Sequence, residues 1–239
     1  MSSIGGFKLE LCIDTSTRYA SVAVSREGAI AVELSWRSER NHSVELVEAL
    51  RLVMGRAGVA MGDLGAVFVA RGPGGFSALR VGLSFAKSLA MSSGVPLVGV
   101  GTLDVEALPY TGAGAPVCAA LEAGRRALYI AVFEPGASVP GSEGDYRVVA
   151  PEELATVVDD GTLVCGEAAA AVVDALQEQG HRSTHALGAA PPTRRPAALA
   201  ALGYRRYKQD DVDSHEGLQP LYMRGSQVQR ARQARASSG

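Results

Sequence analysis

The sequence predicts an α/β protein in which a unit of order β-β-β-α-β-α occurs twice in tandem. Short apolar runs of strand length alternate along the chain with longer segments of helical periodicity. The order of these elements in the first half recurs, more faintly, in the second half. The 239 residues are 47% hydrophobic and 20% charged, so the chain has enough apolar material to bury the core of such a fold.

The first half begins with a predicted three-stranded meander and continues with two helices that alternate with two further strands. The strands cover residues 7–13, 20–25, 29–36, 66–70 and 97–100. The first helix covers 43–57, with Ser43 as its N-cap and Gly58 just beyond its end. The second helix covers 77–92 and ends before Gly94. The fourth strand is apolar throughout, which is typical of a buried parallel strand.

The second half repeats this order with shorter elements. They are strands at 116–121, 128–133, 146–149 and 163–165, a short helix opening at Pro151 and an alanine-rich helix over 167–179. A three-stranded meander followed by an α-β-α crossover is the ribonuclease-H-like module, and its tandem copy is the architecture of actin-like ATPases and sugar kinases. We therefore assign 1–104 to a first lobe and 105–223 to a second, smaller and degenerate lobe. Residues 224–239, with four arginines and no acidic residue, are expected to form a flexible basic tail.

Composition excludes several classes of protein. No uncharged apolar run reaches the roughly 18 residues that span a bilayer. The N-terminus shows no basic stretch followed by an apolar segment, so we expect neither a membrane protein nor a secreted one. Cys12, Cys118 and Cys165 each lie in an apolar run, which predicts reduced core cysteines in a cytoplasmic protein. The net charge of -2 gives the chain as a whole no strong attraction for nucleic acid.

Two turns at strand ends are candidates for contact with phosphate. Their residues are Asp14, Thr15, Ser16 and Thr17 after the first strand, and Gly72, Gly74 and Gly75 after the fourth. In actin-like ATPases the turn at this place holds a hydrated metal ion through its aspartate and faces phosphate with its hydroxyls, so the likeness to that architecture implies the same roles here. The second offers backbone N–H groups at a helix N-terminus, although it lacks the lysine of a Walker A loop. Each turn also has a purely structural interpretation, as an Asx-type turn and a tight glycine turn respectively.

No convincing catalytic or metal-binding set stands in the sequence. There is no G-x-S-x-G elbow for a serine nucleophile. His42 has no second histidine within a helical turn. His181 and His185 are four residues apart, but they follow Gly180 in a segment without helical character. We therefore expect no catalytic residues, no metal site and no tightly bound cofactor, and only ATP or ADP binding at the two turns stays open.

The two helices of the first half carry more apolar surface than one sheet can cover. A helix lying on a sheet needs an apolar arc of only about 100°. The second helix is apolar on two faces and has only Arg80 and Lys87 as charged residues. Either the second lobe or a partner chain must cover the additional face. The candidate anchors of such an interface are Val47, Leu50, Met54, Leu83, Phe85 and Leu89.

Taken together, these motifs resemble those of the TsaB (YeaZ) family of bacterial tRNA-modification proteins. The matching motifs are L-C-I-D-T-S-T at 11–17, N-H-S at 41–43, R-G-P-G-G-F-S-A-L-R-V-G at 71–82, A-L-E-A at 120–123 and P-L-Y-M-R at 220–224. The resemblance is dense over residues 9–105 and thin from 135 to 215. Its most specific part is the Gly-Pro-Gly stretch with its flanks.

The resemblance implies an actin-like ATPase fold that has lost catalysis. It implies a heterodimer with a TsaD-like transferase, formed through first-lobe helices, in which the transferase attaches threonylcarbamoyl to N6 of adenosine 37 in tRNA. TsaD carries a metal-binding pair of histidines four residues apart, where this chain has only His42. The resemblance further implies a TsaE-like ATPase in a larger complex, indirect contact with tRNA, and a homodimer when the chain is alone.

Two other functions are compatible with the residues. An actin-like ATPase or kinase would use Asp14 with the turn at 72–75, and it predicts ATP turnover by the isolated chain. A glycopeptidase-like metallopeptidase would use His42, and it predicts stoichiometric bound metal. The lack of further metal ligands near His42 argues strongly against the peptidase. The sequence disfavours the kinase only moderately.

Overall fold

The computed structural model describes residues 8–39, 41–124, 126–136, 146–187 and 194–223. The chain divides into two compact units, Met1–Val105 with Thr193–Pro220 and Glu106–Pro192 with Leu221–Gly239. The predicted lobes place 194–220 in the second half of the protein, whereas these residues belong to the first unit. The predicted basic tail at 224–239 lies outside the described residues.

The first unit is built on a five-stranded mixed sheet. Its strands are β1 (Leu9–Asp14), β2 (Tyr19–Arg26), β3 (Ala29–Arg37), β4 (Leu64–Gly72) and β5 (Leu97–Gly101). They lie in the order β3-β2-β1-β4-β5. β1, β2 and β3 form an antiparallel meander, and β4 and β5 run parallel to β1. This is the ribonuclease-H-like topology, so the predicted fold of the first lobe is confirmed.

Two long helices, α1 (His42–Ala57) and α2 (Phe76–Ser93), pack on one face of this sheet. Each ends at a glycine in the left-handed conformation, Gly58 with a φ of 66° and Gly94 with a φ of 65°. Both helix ends confirm the prediction from glycine position. The core between helices and sheet includes Leu11, Ile13, Val22, Leu46, Val53, Val69, Leu83 and Ala86.

Two local features of the first unit differ from the prediction. α1 begins at His42 rather than Ser43, and its N-cap is Asn41, which makes no side-chain capping hydrogen bond. A six-residue helix, α3 (Thr102–Ala107), follows β5 without an intervening loop and was not predicted. A helix this short shows too little apolar periodicity to be distinguished from the strand before it.

The second unit repeats the topology with shorter elements. They are β6 (Val117–Gly124), β7 (Ala127–Phe133), β8 (Arg147–Val149), β9 (Leu163–Cys165), α4 (Ala169–Glu178) and β10 (His185–Ala186). β7 is antiparallel to β6 and β8, while β9 is parallel to β6 and β10. The order β8-β7-β6-β9-β10 therefore matches that of the first sheet. In place of α1 this unit has a 3-10 helix at Pro151–Thr156, which makes it the degenerate copy that the sequence predicts.

After β10 the chain contributes one more helix to the first unit, α5 (Pro196–Lys208). α5 contacts all five strands of the first sheet. Gly203 permits a close approach, since a Cβ there would overlap the ring of Phe68. Phe68 alternates with Val67 and Val69, which face the core beneath α1 and α2, so α5 covers the opposite face. None of the helices in the described ranges is long and apolar enough to cross a membrane.

The three cysteines are free and buried. Desolvation by burial raises the pKa of Cys12 and of Cys118 from 9.0 to about 12. Both thiols are therefore protonated at neutral pH and are poor nucleophiles and poor metal ligands. This confirms the prediction that the three cysteines lie in the core.

Candidate functional site

The turn after β1 lies in the interior of the first unit. Asp14 is 1% exposed, Thr15 2% and Ser16 0%. Oδ1 of Asp14 accepts hydrogen bonds from the backbone N–H and the hydroxyl of Ser16, at 2.8 and 2.6 Å. This is the geometry of an Asx-type turn, in which the carboxylate fixes the backbone that follows it.

The hydroxyls of this turn form contacts within the first unit. Oγ of Ser16 lies 2.8 Å from Oγ1 of Thr102, the first residue of α3. Oγ1 of Thr15 donates to the carbonyl oxygen of Ala78 in α2 at 2.7 Å. Gly82, one turn further along α2, makes room for Thr15, since a Cβ there would overlap Oγ1. The turn is thereby connected to two helices.

The glycine turn after β4 packs directly against the turn after β1. The N–H of Gly75 donates to the carbonyl oxygen of Ser16 at 2.7 Å. A Cβ on Gly74 would overlap the same oxygen, so only glycine permits this approach. Gly72 has a φ of 117° and precedes a cis peptide bond to Pro73. The two candidate turns thus meet at the carboxyl ends of parallel strands, where α/β folds place ligands.

Arg194 is a residue of this site that no motif in the sequence indicates. Its Nη1 lies 3.8 Å from Oδ2 of Asp14, with side-chain exposures of 0% and 1% respectively. It lies two residues before Pro196, where α5 begins. The proline is a typical first residue of a helix, but the sequence does not indicate on which sheet this helix packs.

His42 hydrogen bonds to Thr17, the last residue of the turn after β1. Its Nε2 lies 2.9 Å from the carbonyl oxygen of Thr17 and its Nδ1 lies 3.2 Å from Oγ of Ser38. A carbonyl oxygen only accepts, so Nε2 donates to Thr17, and Nδ1 shares a hydrogen bond with the Ser38 hydroxyl. Oγ1 of Thr17 accepts from the N–H of Tyr19 at 3.1 Å. Both ring nitrogens of His42 therefore make hydrogen bonds within the first unit.

The groups at the two turns do not fit a metal–nucleotide complex as they are arranged. Oδ1 of Asp14 accepts two hydrogen bonds, and Oδ2 faces Arg194. The hydroxyls of Thr15 and Ser16 and the N–H of Gly75 are also used within the chain. Oδ2 of Asp14 is buried without a hydrogen bond from the described residues, so a hydrated Mg²⁺ there would compete with Arg194, whereas a phosphate would have to replace the contacts of the hydroxyls and of Gly75. No step of nucleotide chemistry follows from this geometry.

A second candidate site is an apolar surface on the two long helices. We define the α1–α2 surface as Val44, Val47, Val81, Phe85 and Leu89. Val44 is 63% exposed and Val47 41%, and the three residues of α2 are half-buried. Glu45 marks the β3 side of α1, because its carboxylate accepts from Nε1 of Trp36 at 3.0 Å. Val47 lies about 160° around the helix from Glu45, which puts it on the flank toward α2.

Three of the six predicted interface anchors lie in the core instead. Leu50 is 4% exposed, Met54 6% and Leu83 2%, and all three pack in the hydrophobic core of the first unit. Apolar periodicity does not distinguish the arc that faces the sheet from the arc beside it. Val47, Phe85 and Leu89 are accessible to a partner, and their contact with one stays a prediction.

A family model described as "TsaD: tRNA N6-adenosine threonylcarbamoyltransferase" matches residues 36–189 of this chain. The matched region is more than half of the 239 residues. The chain belongs to the TsaD family. The match begins in β3 and ends just beyond β10, so it includes both helices of the α1–α2 surface.

Relatives of this TsaD-family chain include proteins of two names. The "tRNA threonylcarbamoyladenosine biosynthesis protein TsaB" of Bacillus subtilis (strain 168) is 28% identical over 90% of this chain and 93% of that protein. The protein of the same name from Escherichia coli (strain K12) matches 39% of this chain and 40% of its own length, at 31% identity. A "tRNA N6-adenosine threonylcarbamoyltransferase" from Anaeromyxobacter dehalogenans matches 33% of this chain and 23% of its own length, at 42% identity.

The fold of this TsaD-family chain is similar to that of a solved structure titled "YeaZ from Pseudomonas aeruginosa". The TM-score is 0.75 at 24% identity, and the match covers 90% of this chain and 100% of that chain. Together with the TsaB relatives, this confirms the TsaB (YeaZ) resemblance and the predicted actin-like fold class.

Proposed function

We propose that this chain takes part in tRNA threonylcarbamoyladenosine biosynthesis as a non-catalytic protein that binds and activates a TsaD-like transferase. One observation carries the proposal, the extent of its similarity to the two kinds of relative. The match covers 93% of the B. subtilis TsaB protein but only 23% of the A. dehalogenans transferase. The chain is thus related to the biosynthesis protein over its length and to the transferase over a part of it.

In this role the partner carries out the chemistry and this chain supplies a surface. The transferase attaches threonylcarbamoyl to N6 of adenosine 37 in tRNA. A protein that binds one conformation of an enzyme more tightly than others stabilises that conformation in proportion to the difference in affinity. The α1–α2 surface suits this role, because its apolar side chains project from two helices fixed on one sheet and each Å² of apolar area buried contributes roughly 25 cal/mol.

The arrangement of the strand-end groups supports a role without catalysis. A general base or metal ligand must direct a lone pair at a substrate or an ion. Asp14 directs its oxygens at Ser16 and Arg194, and the ring of His42 contacts two groups of the fold. These residues hold the turn, while the face on which the chain acts is the α1–α2 surface.

The proposal extends to the setting of the complex. The chain works in the cytoplasm with tRNA, which it contacts through the transferase, and a TsaE-like ATPase joins the larger assembly. When no transferase is present, the α1–α2 surface pairs with a second copy of this chain, since the same apolar area is then left exposed.

The test is light-scattering chromatography of the full chain, alone and mixed with the TsaD-like transferase of its host. We expect a 1:1 complex with the wild-type chain and with Val212→Arg, and at least about tenfold weaker association with Val47→Arg, as is usual when a charge is placed at an interface centre. Val212 is a matched control, being 42% exposed against 41% for Val47 and lying outside the α1–α2 surface. Complex formation that is insensitive to Val47→Arg would contradict the assigned surface.

The two other functions are tested on the same samples. An ATPase or kinase requires ATP turnover by the isolated chain that is lost in Asp14→Asn. A metallopeptidase requires bound metal that is lost in His42→Ala. We expect neither, because both side chains are engaged in holding the turn after β1. ATP turnover by the isolated chain would contradict the non-catalytic role even if the complex forms.

A further inference from the structure

The pairing of Asp14 with Arg194 has a consequence for metal binding. A buried carboxylate beside hydroxyls, at the carboxyl end of a strand, has the oxygen ligands that Mg²⁺ and Mn²⁺ prefer. Beside this carboxylate the chain places a guanidinium of its own. We propose that Arg194 is a resident cation that takes the position of a hydrated divalent ion at Asp14, so that the turn keeps its shape without metal or nucleotide.

The distance between the two groups supports this assignment. Nη1 of Arg194 lies 3.8 Å from Oδ2 of Asp14. A hydrated Mg²⁺ holds its waters at about 2.1 Å, and a water hydrogen bonds to a carboxylate at about 2.8 Å, which puts the ion about 4 Å from the carboxylate oxygen. Nη1 of Arg194 therefore lies at the distance from Oδ2 that the centre of such an ion would take, so the guanidinium can supply the positive charge that the ion would bring.

Burial makes the pair a permanent feature of the fold. The side chains of Arg194 and Asp14 are 0% and 1% exposed. An arginine stays charged under all ordinary conditions, and a buried charge requires an opposite charge nearby. A bound metal ion exchanges with the solvent, whereas Arg194 is delivered whenever α5 packs on the first sheet. The positive charge at Asp14 is thus supplied by folding.

Oδ1, the second carboxylate oxygen of Asp14, connects the pair to the rest of the turn. Oδ1 accepts from the N–H and the hydroxyl of Ser16, and Oγ of Ser16 lies 2.8 Å from Oγ1 of Thr102. Asp14 therefore joins the turn after β1, the start of α3 and Arg194, two residues before α5, in one polar network. A metal ion at Oδ2 would have to displace Arg194 from this network.

The experiment measures Mn²⁺ binding by the full-length chain, from the loss of the electron paramagnetic resonance signal of free Mn²⁺. Arg194→Ala removes the resident cation, and Arg194→Lys keeps a cation in its place. Arg205→Ala removes an exposed arginine of α5 and reports how a change in net charge alone affects Mn²⁺ binding at other sites. The double variant Asp14→Asn with Arg194→Ala removes the carboxylate that the ion would use.

We expect Arg194→Ala to bind Mn²⁺ about tenfold or more tightly than the wild type, since it leaves a buried carboxylate without its counter-ion. Arg194→Lys and Arg205→Ala should behave as the wild type, and the double variant should lose the gain. A folded Arg194→Ala chain that binds Mn²⁺ no better than the wild type would overturn the proposal.

A comparison that does not depend on the folding of Arg194→Ala uses the wild type and Asp14→Asn. If Arg194 occupies the ion position, these two chains bind Mn²⁺ equally. Tighter binding by the wild type would show that Asp14 holds a metal ion with Arg194 in place, and the proposal would be wrong.

Discussion

The two units share a strand order but differ in what they build around it. In each, a glycine after the fourth strand approaches the backbone of the first strand or of the turn after it. A Cβ on Gly74 would overlap the carbonyl oxygen of Ser16, just after β1, and a Cβ on Gly166 would overlap that of Ala120, within β6. Only the first unit has the long helix α1 in the third-to-fourth-strand connection, where the second has the 3-10 helix Pro151–Thr156. The topology and the close glycine approach are thus common to both copies.

On the proposed function, the groups that act lie in the first unit. The polar network at Asp14 and the α1–α2 surface both belong to the first unit. In the second unit the described residues at the end of β6 offer Glu122, which is exposed, in place of a buried carboxylate. We infer that the second unit keeps what the fold requires, while the first unit has added what a partner recognises.

The largest expected effects on stability are at the two glycines that make the same close approach, Gly74 and Gly166. We expect Gly74→Ala to lower the free energy of unfolding by about 3 kcal/mol, because the new Cβ meets backbone that cannot move aside cheaply. Gly166→Ala should cost more, since Gly166 also has a φ of 94°, where a side chain adds about 1–3 kcal/mol of strain. Urea denaturation followed by circular dichroism measures both.

Gly55→Ala is the control for these substitutions. Nothing lies within 4 Å of a Cβ at Gly55, which is exposed in the last turn of α1. Alanine there should raise the free energy of unfolding by about 0.5–1 kcal/mol through helix propensity. If Gly74→Ala unfolded at the same urea concentration as the wild type, the close packing of the two turns would be refuted.

The relative stability of the units can be compared through one cysteine in each. Burial raises the pKa of Cys12 and of Cys118 to about 12, so neither should react with a thiol reagent at pH 8 in the native protein. As urea is added, we expect Cys118 to become labelled before Cys12, because the second unit has shorter strands and a smaller core. Mass spectrometry of peptides gives the order, and earlier labelling of Cys12 would reverse the ranking.

The smallest expected effect concerns one carboxylate in each unit. Hydrogen bonds from the N–H groups of Ser183 and Arg182 lower the pKa of Asp160 below 3.8. A side-chain hydrogen bond from Arg206 lowers the pKa of Asp211 below the same value. Each carboxylate therefore contributes stability that is present above pH 3.8 and is lost as the pH falls through its lowered pKa.

Salt should change the pKa values of these two carboxylates to different extents. Asp211 pairs with a charged, partly exposed guanidinium, so we expect its pKa to rise toward 3.8 in about 1 M salt, where charges are screened. The pKa of Asp160 should change less, because its principal partners are backbone N–H groups. Carboxyl-group NMR titrations at low and high salt measure both values. An equal response would contradict the assigned causes.

Much of the first unit could be predicted from sequence because its signals are local. Glycines at 58 and 94 mark the ends of α1 and α2, and the apolar run at 66–70 marks a buried parallel strand. Parallel strands bring their carboxyl ends together, so the meeting of the Asp14 and Gly74 turns also follows from the pattern.

The rest depends on long-range packing that no local pattern records. The first eight residues of α5 are mostly alanine and glycine, and the helix packs on strands far earlier in the chain, which is how Arg194 reaches Asp14. Leu50 and Leu83 belong to apolar arcs wider than one sheet requires, and only the tertiary structure shows that these two residues face the sheet.

The most direct measurement of the central claim is the rate at which the host's TsaD-like transferase forms threonylcarbamoyladenosine in tRNA in a reconstituted reaction. We predict little product without this chain, full activity with the wild type or Val212→Arg, and activity reduced at least about tenfold with folded Val47→Arg at equal concentration. Equal activity with and without this chain, or with Val47→Arg and the wild type, would contradict the claim that the first unit acts through its α1–α2 surface.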